Sequence, residues 1–307
     1  MRPSLGATRT APLSKFQLRT RRIRRVRTAR RLTQLAASVL IVVAAVRHQV
    51  EKQDAASLDA LCPFGAVETL ISWLTTGTLI AKTHPSNLVL GLALLVATAL
   101  AGNAFCGWIC PFGAVQDALT WVRRTLRLPG VDVPARLDRV LRWGRYVVLG
   151  VILAMSFATA RLWFADYDPY LALFGLHWLF GSDSALWWAG LSVLAIVVIG
   201  SLVIDRFWCR YACPLGGVLS LLGRFSLLRL RRSASACTDC TLCDAACPVA
   251  VRPSAAAPLV SSDCVGCMDC VTTCPVRGAL QVEFPVLPGA AVKAPASGRR
   301  EREEAVR

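Results

Sequence analysis

Eight of the 13 cysteines lie in two closely spaced runs near the C-terminal end of the sequence. Both runs have the spacing Cys-x-x-Cys-x-x-Cys-x-x-x-Cys-Pro. They consist of Cys237, Cys240, Cys243 and Cys247, and of Cys264, Cys267, Cys270 and Cys274. This is the bacterial spacing for two [4Fe–4S] clusters, in which the fourth cysteine ligates the other cluster. We therefore expect a small α+β domain of the bacterial two-cluster ferredoxin type.

The spacing also predicts which cysteine ligates which cluster. The first three cysteines of a run are separated by two residues each, so their thiolates can bind one cluster from a short loop. The fourth ligand of that cluster then comes from the other run. The predicted sets are Cys237, Cys240, Cys243 and Cys274 for one cluster, and Cys264, Cys267, Cys270 and Cys247 for the other. Zinc also binds four cysteines, but two complete runs closed by Cys-Pro favour clusters. A disulfide scaffold is typical of short secreted chains, which this chain does not resemble.

The rest of the chain is apolar, and 55% of all residues are hydrophobic. Four stretches approach the roughly 20 residues that a membrane-spanning helix needs. They are residues 32–46, 88–105, 146–160 and 186–204. We interpret the first as an uncleaved helix rather than a signal peptide, because its basic arm is long and no cleavage site is obvious. Two further segments, 67–80 and 170–180, are expected to be re-entrant, interfacial or packed helices, and six spans remain an alternative.

Basic residues alternate along the chain and predict its orientation. Residues 1–31 contain eleven Lys or Arg, residues 106–145 seven and residues 205–235 six, whereas residues 48–85 contain two and residues 161–185 one. Because basic segments stay in the cytoplasm, four spans with both termini and the clusters on the cytoplasmic side of a bacterial inner membrane fit best. The formal charge of +16 is then explained by anionic lipid headgroups rather than by nucleic acid.

These patterns divide the chain into four parts. We expect a basic cytoplasmic arm, a membrane domain, a ferredoxin domain and a disordered tail, over residues 1–31, 32–232, 233–285 and 286–307.

The membrane domain contains a repeated motif. Cys106 and Cys110 lie in a Cys-x-x-x-Cys-Pro sequence that recurs 103 residues later at Cys209 and Cys213. This offset predicts a pseudo-duplicated domain with helix breaks at Cys110 and Cys213, because a residue before proline avoids the α conformation. The four cysteines are candidate redox thiols: they could form a third metal centre, act as redox dithiols, or simply pack at the breaks.

Part of the Cys-Pro motif is repeated in a segment on the predicted outer side. Residues 62–67 repeat residues 110–115 letter for letter, and Asp168 stands at the corresponding place in the second half. All three histidines, at positions 48, 84 and 177, also fall in the predicted outer segments. Cys62, Asp168 and a histidine are therefore a hypothetical outer site for a metal or a quinone headgroup. The alternative is that they are ordinary polar residues at helix ends.

Together, the two membrane motifs and the two cluster runs resemble the NapH/NosR/CcoG group of membrane polyferredoxins over about residues 30–285. The layout is closest to short NapH-like members. A flavin-binding domain like that of NosR, and the additional C-terminal domain of CcoG-like members, are expected to be absent. The resemblance implies electron transfer between quinol or cytoplasmic donors and periplasmic or metal acceptors. It does not identify the partner.

Three functions remain open. The chain is expected to pass electrons between a quinol or cytoplasmic donor and a partner redox enzyme. Alternatively, it reduces cupric ions with its membrane thiolates, since Cu(I) prefers soft ligands, or it is a membrane iron–sulfur sensor or assembly factor. The sequence contains no phosphate-binding loop and no Ser/His/Asp set that stands out, so hydrolysis has no support.

Overall fold

A computed structural model describes residues 15–51, 62–77, 86–159, 163–176, 185–255, 262–276 and 278–283. The helices are α1 (Lys15–Glu51), α2 (Pro63–Thr76), α3 (Ser86–Ala101), α4 (Ala104–Trp108), α5 (Pro111–Thr125), α6 (Ala135–Leu141), α7 (Gly144–Thr159), α8 (Pro169–Phe174), α9 (Ala185–Val203), α10 (Phe207–Tyr211), α11 (Pro214–Leu222), α12 (Leu242–Ala245) and α13 (Asp269–Thr273). The strands are β1 (Arg229–Arg232) and β2 (Leu280–Glu283). His84, His177 and the predicted tail lie outside the described residues.

Each of the four apolar stretches predicted as spans overlaps a helix, namely α1, α3, α7 or α9. Two segments, Arg24–Val50 and Ala135–Thr159, are long and apolar enough to cross a membrane, and two apolar helices, Asn87–Ala101 and Trp188–Val203, are shorter. All four carry large apolar side chains that are mostly exposed, as lipid-facing surfaces do; examples are Leu40, Val89, Phe157 and Ile199.

Two boundaries differ from the sequence prediction. Helix α1 continues without interruption past residue 31, where the arm was expected to end, and its 37 residues extend about 55 Å at 1.5 Å per residue. Helix α3 ends at Ala101 rather than at residue 105. The reason is Gly102, which has φ +61, a conformation that a helix does not tolerate and that glycine adopts readily.

The helix breaks predicted at Cys110 and Cys213 are confirmed. Helices α4 and α10 each end shortly before the second cysteine of the motif, which caps the following helix, with proline at the first helical position. Proline suits that position because its missing N–H would have no intrahelical partner. Cys62 caps α2 and Asp168 caps α8 in the same way.

The two additional apolar segments form packed helices as far as they are described. Phe64 and Val67 on α2, and Tyr170 and Phe174 on α8, are buried. Helix α2 packs mainly against α3, and α8 against α9. Both short helices therefore belong to the interior of the membrane domain.

The ferredoxin domain is closed by an antiparallel pair of strands. Arg229 of β1 lies opposite Glu283 of β2, and Arg232 opposite Leu280. Strand β1 thus begins four residues before the boundary predicted at residue 233. The sequence did not indicate this strand, because three of its four residues are arginines and only Leu230 is buried.

The hydrophobic core is continuous between the two domains. Val265 and Cys267 of the second cysteine run belong to the same buried cluster as Phe112 and Trp208 of the membrane domain. Leu230, Cys243, Cys270 and Leu280 form a separate small core. One side of the ferredoxin domain is thus packed directly against the membrane domain.

Candidate functional site

The two cysteine runs adopt the same unusual backbone around their second cysteine. Asp239 and Thr241, on either side of Cys240, have φ +51 and +55, and Gly266 and Met268, on either side of Cys267, have φ +63 and +61. Left-handed residues on both sides of a ligand turn the chain tightly around it. Each run then enters a short helix, α12 or α13.

The cysteines gather around two cavities in the combinations that the spacing predicts. A cavity of about 280 Å³, called here the inner cluster cavity, is lined by Cys247, Cys264, Cys267 and Cys270. A smaller one, the outer cluster cavity, is lined by Cys237, Cys240, Cys243 and Cys274. Each cavity therefore has three cysteines of one run and the last cysteine of the other.

The donor geometry fits a polynuclear cluster better than a single ion. Zinc needs four sulfurs about 2.3 Å from one point. Among the described residues, no three Cys, His, Asp or Glu side chains are close enough to hold one metal ion. Four thiols spread around a cavity suit a centre that is itself several atoms wide.

Burial disfavours the thiolate form of the cysteines that line these cavities. Burial raises the pKa of Cys267 to about 12 and that of Cys243 to about 11. Since iron binds the thiolate, loading of the site must release these protons.

A third cavity, called here the central cavity, collects all the other cysteines. It measures about 60 Å³ and is lined by Cys62, Cys106, Cys110, Cys209 and Cys213, together with Asp168. Cys62 and Asp168, the residues of the predicted outer site, thus lie together in one cavity with the membrane motifs; their placement on the outer side stays a prediction. The two residues face the membrane motifs, because α2 and α8 begin at the same cavity as α5 and α11.

Cys62 and Asp168 contact each other directly. The Cys62 thiol donates a hydrogen bond to Asp168 Oδ2 at 3.4 Å, and Asp168 Oδ1 accepts from the backbone N–H of Tyr170 at 2.9 Å. On the opposite motif, the backbone N–H of Gly216 donates to Cys213 Sγ at 3.3 Å. Helix starts thus supply donors to the groups that line the cavity.

The central cavity contains polar atoms with no partner among the described residues. These atoms are Tyr170 Oη and Arg145 Nε, both from lining residues. Buried polar atoms are normally hydrogen-bonded to protein or water, so these two are available to a polar ligand. The rest of the wall is largely apolar and includes Phe64, Phe112, Phe164 and Trp208.

The central cavity and the inner cluster cavity are neighbours. Val249 and Val265 line both of them. Val265 follows Cys264 directly, and Val249 lies two residues after Cys247. Groups bound in the two cavities would therefore lie on either side of these two residues.

Hydrogen bonds hold the inner cysteine run against α4. Trp108 Nε1 donates to the carbonyl of Gly266 at 2.9 Å, and Asn103 Nδ2 donates to that of Ser262 at 2.6 Å. Arg142, which follows α6, and Arg145, at the start of α7, form ion pairs with Asp263. The loop that supplies three inner ligands is thus fixed to the membrane domain.

Substituting Gly107 with alanine should disturb this contact, because a Cβ there would overlap the carbonyl oxygen of Val265. We expect Gly107→Ala to lower the apparent Tm in detergent by several degrees. The matched control is Gly150→Ala in α7, where a Cβ meets nothing within 4 Å. That change should be neutral or stabilise by up to about 1 kcal/mol. Equal Tm values for the two variants would contradict the close contact.

A buried network of ion pairs lies close to the contact between α4 and the inner cysteine run. Arg206 is fully buried; its Nε and Nη2 donate to Asp117 at 2.8 and 2.7 Å, and its Nη1 donates to the carbonyl of Cys106 at 3.1 Å. Arg30 of α1 joins Asp117 to Asp269 in the ferredoxin domain. Although burial alone would raise the pKa of Asp117, the Arg206 and Arg30 guanidiniums hold it at about 2.

Sequence reasoning missed the charged residues of this network and the buried Glu68. One signal was available: Arg206 lies 103 residues after Asn103, so the repeat pairs a charged residue with an amide. Asn103 and Trp108 bind the ferredoxin domain, whereas their repeat equivalents Arg206 and Tyr211 bind Asp117 and Asp138. Residues at the 103-residue offset thus have different partners in the structure.

A comparison with known protein families matches the two segments that contain the membrane motifs. A family model described as a 4Fe-4S binding domain matches residues 83–129 and 186–233. These two segments contain the pairs Cys106/Cys110 and Cys209/Cys213, at the 103-residue offset of the repeat. No solved structure matches the chain.

Several curated proteins are similar over most of the chain. The ferredoxin-type protein NapH of Haemophilus influenzae is 30% identical over 66% of this chain and 70% of its own length. The putative electron transport protein YccM of Escherichia coli is 27% identical over 73% of this chain and 62% of its own length. The regulatory protein NosR of Pseudomonas aeruginosa is 32% identical over 55% of this chain but only 23% of its own. The chain therefore belongs to the NapH/NosR-type family of ferredoxin-like membrane proteins.

Proposed function

We propose that the protein oxidises a membrane quinol in its central cavity and transfers the electrons to a partner redox protein. The observation that carries this proposal is the adjacency of the central cavity and the inner cluster cavity across Val249 and Val265. Relatives named as an electron transport protein and as ferredoxin-type proteins support the general role in iron–sulfur electron transfer. The quinol and the partner are specific to this proposal.

The eight ferredoxin cysteines would hold two [4Fe–4S] clusters. When bound, each cluster takes up and gives back one electron. The inner set is Cys247, Cys264, Cys267 and Cys270, and the outer set is Cys237, Cys240, Cys243 and Cys274. Cys240 is exposed, so the outer set lies where a soluble partner can approach it. The three cavities then form a series from the membrane domain to the surface.

The lining of the central cavity suits a quinol headgroup. A quinol has an aromatic ring and two hydroxyl groups, and the cavity offers aromatic walls together with the unpartnered Tyr170 Oη and Arg145 Nε. Small-molecule sites combine a largely apolar wall with a few polar groups in this way. Of the two ligands considered for Cys62 and Asp168, these features favour a quinone headgroup over a metal ion. The four cysteines of the membrane motifs would then line the quinol site as redox-active thiols.

Reduction by a water-soluble quinol tests this function. Anaerobically purified protein with about eight irons and eight sulfides should bleach when it is mixed with duroquinol, and reduced clusters should appear in its EPR spectrum. We expect Tyr170→Phe, which removes only the unpartnered hydroxyl, to slow this reduction about tenfold or more. Reduction by dithionite should not change. The control is Tyr167→Phe, which lies outside the central cavity lining.

Other outcomes would select the rival functions. Clusters that dithionite reduces but duroquinol does not would contradict the quinol site. Cupric reduction that is lost in Cys106→Ser would favour the metal reductase. Iron in excess of eight per chain, lost when Cys106 and Cys209 are changed to serine, would make the membrane motifs a third metal centre instead of a thiol-lined pocket.

A further inference from the structure

Glu68 is a buried acid that the path of electrons does not use. It lies on α2, is only 3% exposed, and accepts a hydrogen bond from the hydroxyl of Ser156 on α7. A carboxyl group inside a membrane domain is costly and usually functional. The position of Glu68 relative to the central cavity suggests its role.

A further small cavity, lined by Glu68, adjoins the central cavity. Cys62, Phe64, Phe164 and Asp168 line both cavities, and Glu68 completes the wall of the smaller one. Its ionisable lining residues are Cys62, Glu68 and Asp168. Its volume is about 10 Å³, near the lower limit for one water molecule. A single water bound there would have the carboxyl groups of Glu68 and Asp168 beside it.

Helix α7 shows on which side of the central cavity Glu68 lies. Arg145, near the start of α7, lines the central cavity and forms an ion pair with Asp263 of the ferredoxin domain. Ser156 follows eleven residues later, about 16 Å along the helix at 1.5 Å per residue. Its partner Glu68 is therefore displaced from the central cavity, away from the ferredoxin domain.

We propose that Asp168 and Glu68 conduct the protons of quinol oxidation away from the central cavity, on the side opposite the ferredoxin domain. This proposal rests on the proposed function. The two O–H bonds of the quinol break and a quinone remains. Two electrons leave toward two one-electron iron–sulfur acceptors, and two protons leave through Asp168 and Glu68. Electrons and protons thus separate at the central cavity.

The proposal is tested with Glu68→Gln, which keeps the size of the side chain but cannot carry a proton. In single-turnover mixing with duroquinol, we expect reduction to slow about 10- to 100-fold, because a positioned proton acceptor contributes about 10²–10⁴-fold. The solvent deuterium isotope effect should increase at the same time, since proton removal becomes limiting. Dithionite reduction should keep its rate, and Glu68→Asp should recover most of the quinol rate.

The matched control is Glu283→Gln, the same change at an exposed ion pair of the ferredoxin domain. It should reduce at the unaltered rate. A Glu68→Gln protein that duroquinol reduces within twofold of the unaltered protein, with the same isotope effect, would overturn the relay but not the quinol site. Failure of duroquinol to reduce even the unaltered protein would overturn the proposed function itself.

A second measurement applies if Glu68→Gln does not fold. Dicyclohexylcarbodiimide modifies protonated carboxyl groups in apolar surroundings, so in the unaltered protein it should label the peptide that contains Glu68. Labelling should slow duroquinol reduction in proportion to its extent and leave dithionite reduction unchanged. Labelling of Glu68 without loss of the quinol rate would overturn the relay.

Discussion

Replacing Cys247 with serine should remove the inner cluster, although Cys247 belongs to the run that supplies the outer one. The expected result is a loss of about half of the iron and sulfide, because Cys247 lines the inner cluster cavity with Cys264, Cys267 and Cys270. Cys274→Ser should remove the outer cluster for the same reason. Each variant should show the EPR signal of one isolated cluster instead of two interacting clusters. Iron and sulfide analysis of anaerobically purified protein measures the loss.

Combined variants identify which cluster each cysteine serves. Cys237→Ser added to Cys274→Ser should cost no further iron, because both residues line the outer cavity. Cys237→Ser added to Cys247→Ser should remove almost all of it. If each run instead held its own cluster, these two results would be exchanged, and the crossed assignment would be wrong. Cys62→Ser is the control, since Cys62 lines neither cluster cavity, and its iron content should not change.

Asp117→Asn should destabilise the protein strongly. The substitution leaves the fully buried Arg206 without its carboxylate partner and weakens the hold of Arg30. Breaking one side of a buried ion pair typically costs about 3–5 kcal/mol, because the remaining charge stays desolvated. We expect the apparent Tm, followed by cluster absorbance in detergent, to fall by at least about 5 °C. The ferredoxin domain should also become more accessible to proteolysis, since Arg30 links Asp117 to Asp269.

The same carboxyl-to-amide change at an exposed ion pair provides the control. Glu283 pairs with Arg231, whose side chain is more than half exposed, and such pairs contribute only about 0–1 kcal/mol. Glu283→Gln should therefore leave the apparent Tm nearly unchanged. An Asp117→Asn protein as stable as Glu283→Gln would mean that the network does not hold the two domains together.

Acid should weaken the Asp117 contact only at low pH. The folded pKa of about 2 lies below the usual value of about 3.9. The carboxylate therefore contributes its full stabilisation above about pH 4. That contribution is lost as the pH falls toward 2, where Asp117 becomes protonated in the folded protein.

Local patterns were sufficient to predict several features of this protein. The cysteine spacing predicted the crossed sets that line the two cluster cavities, and prolines after Cys110 and Cys213 predicted the helix breaks. Hydropathy placed an apolar helix at each of the four predicted stretches, although α1 begins 17 residues before the first of them. Each of these features depends on residues close together in the chain, where backbone geometry and side-chain type leave few choices.

Other features depended on how distant segments pack. Residues 62–67 repeat residues 110–115, yet nothing local indicated that both copies begin helices at one cavity. Charge alternation placed Cys62 and Asp168 in the predicted outer segments, but only the packing of α2 and α8 shows that both residues line one cavity with the membrane cysteines. The partnerships of Arg206 with Asp117, and of Glu68 with Ser156, join residues 89 and 88 positions apart. The sequence alone therefore determined the local geometry of the ligands and caps, whereas only tertiary packing decided which buried charges and thiols share a cavity.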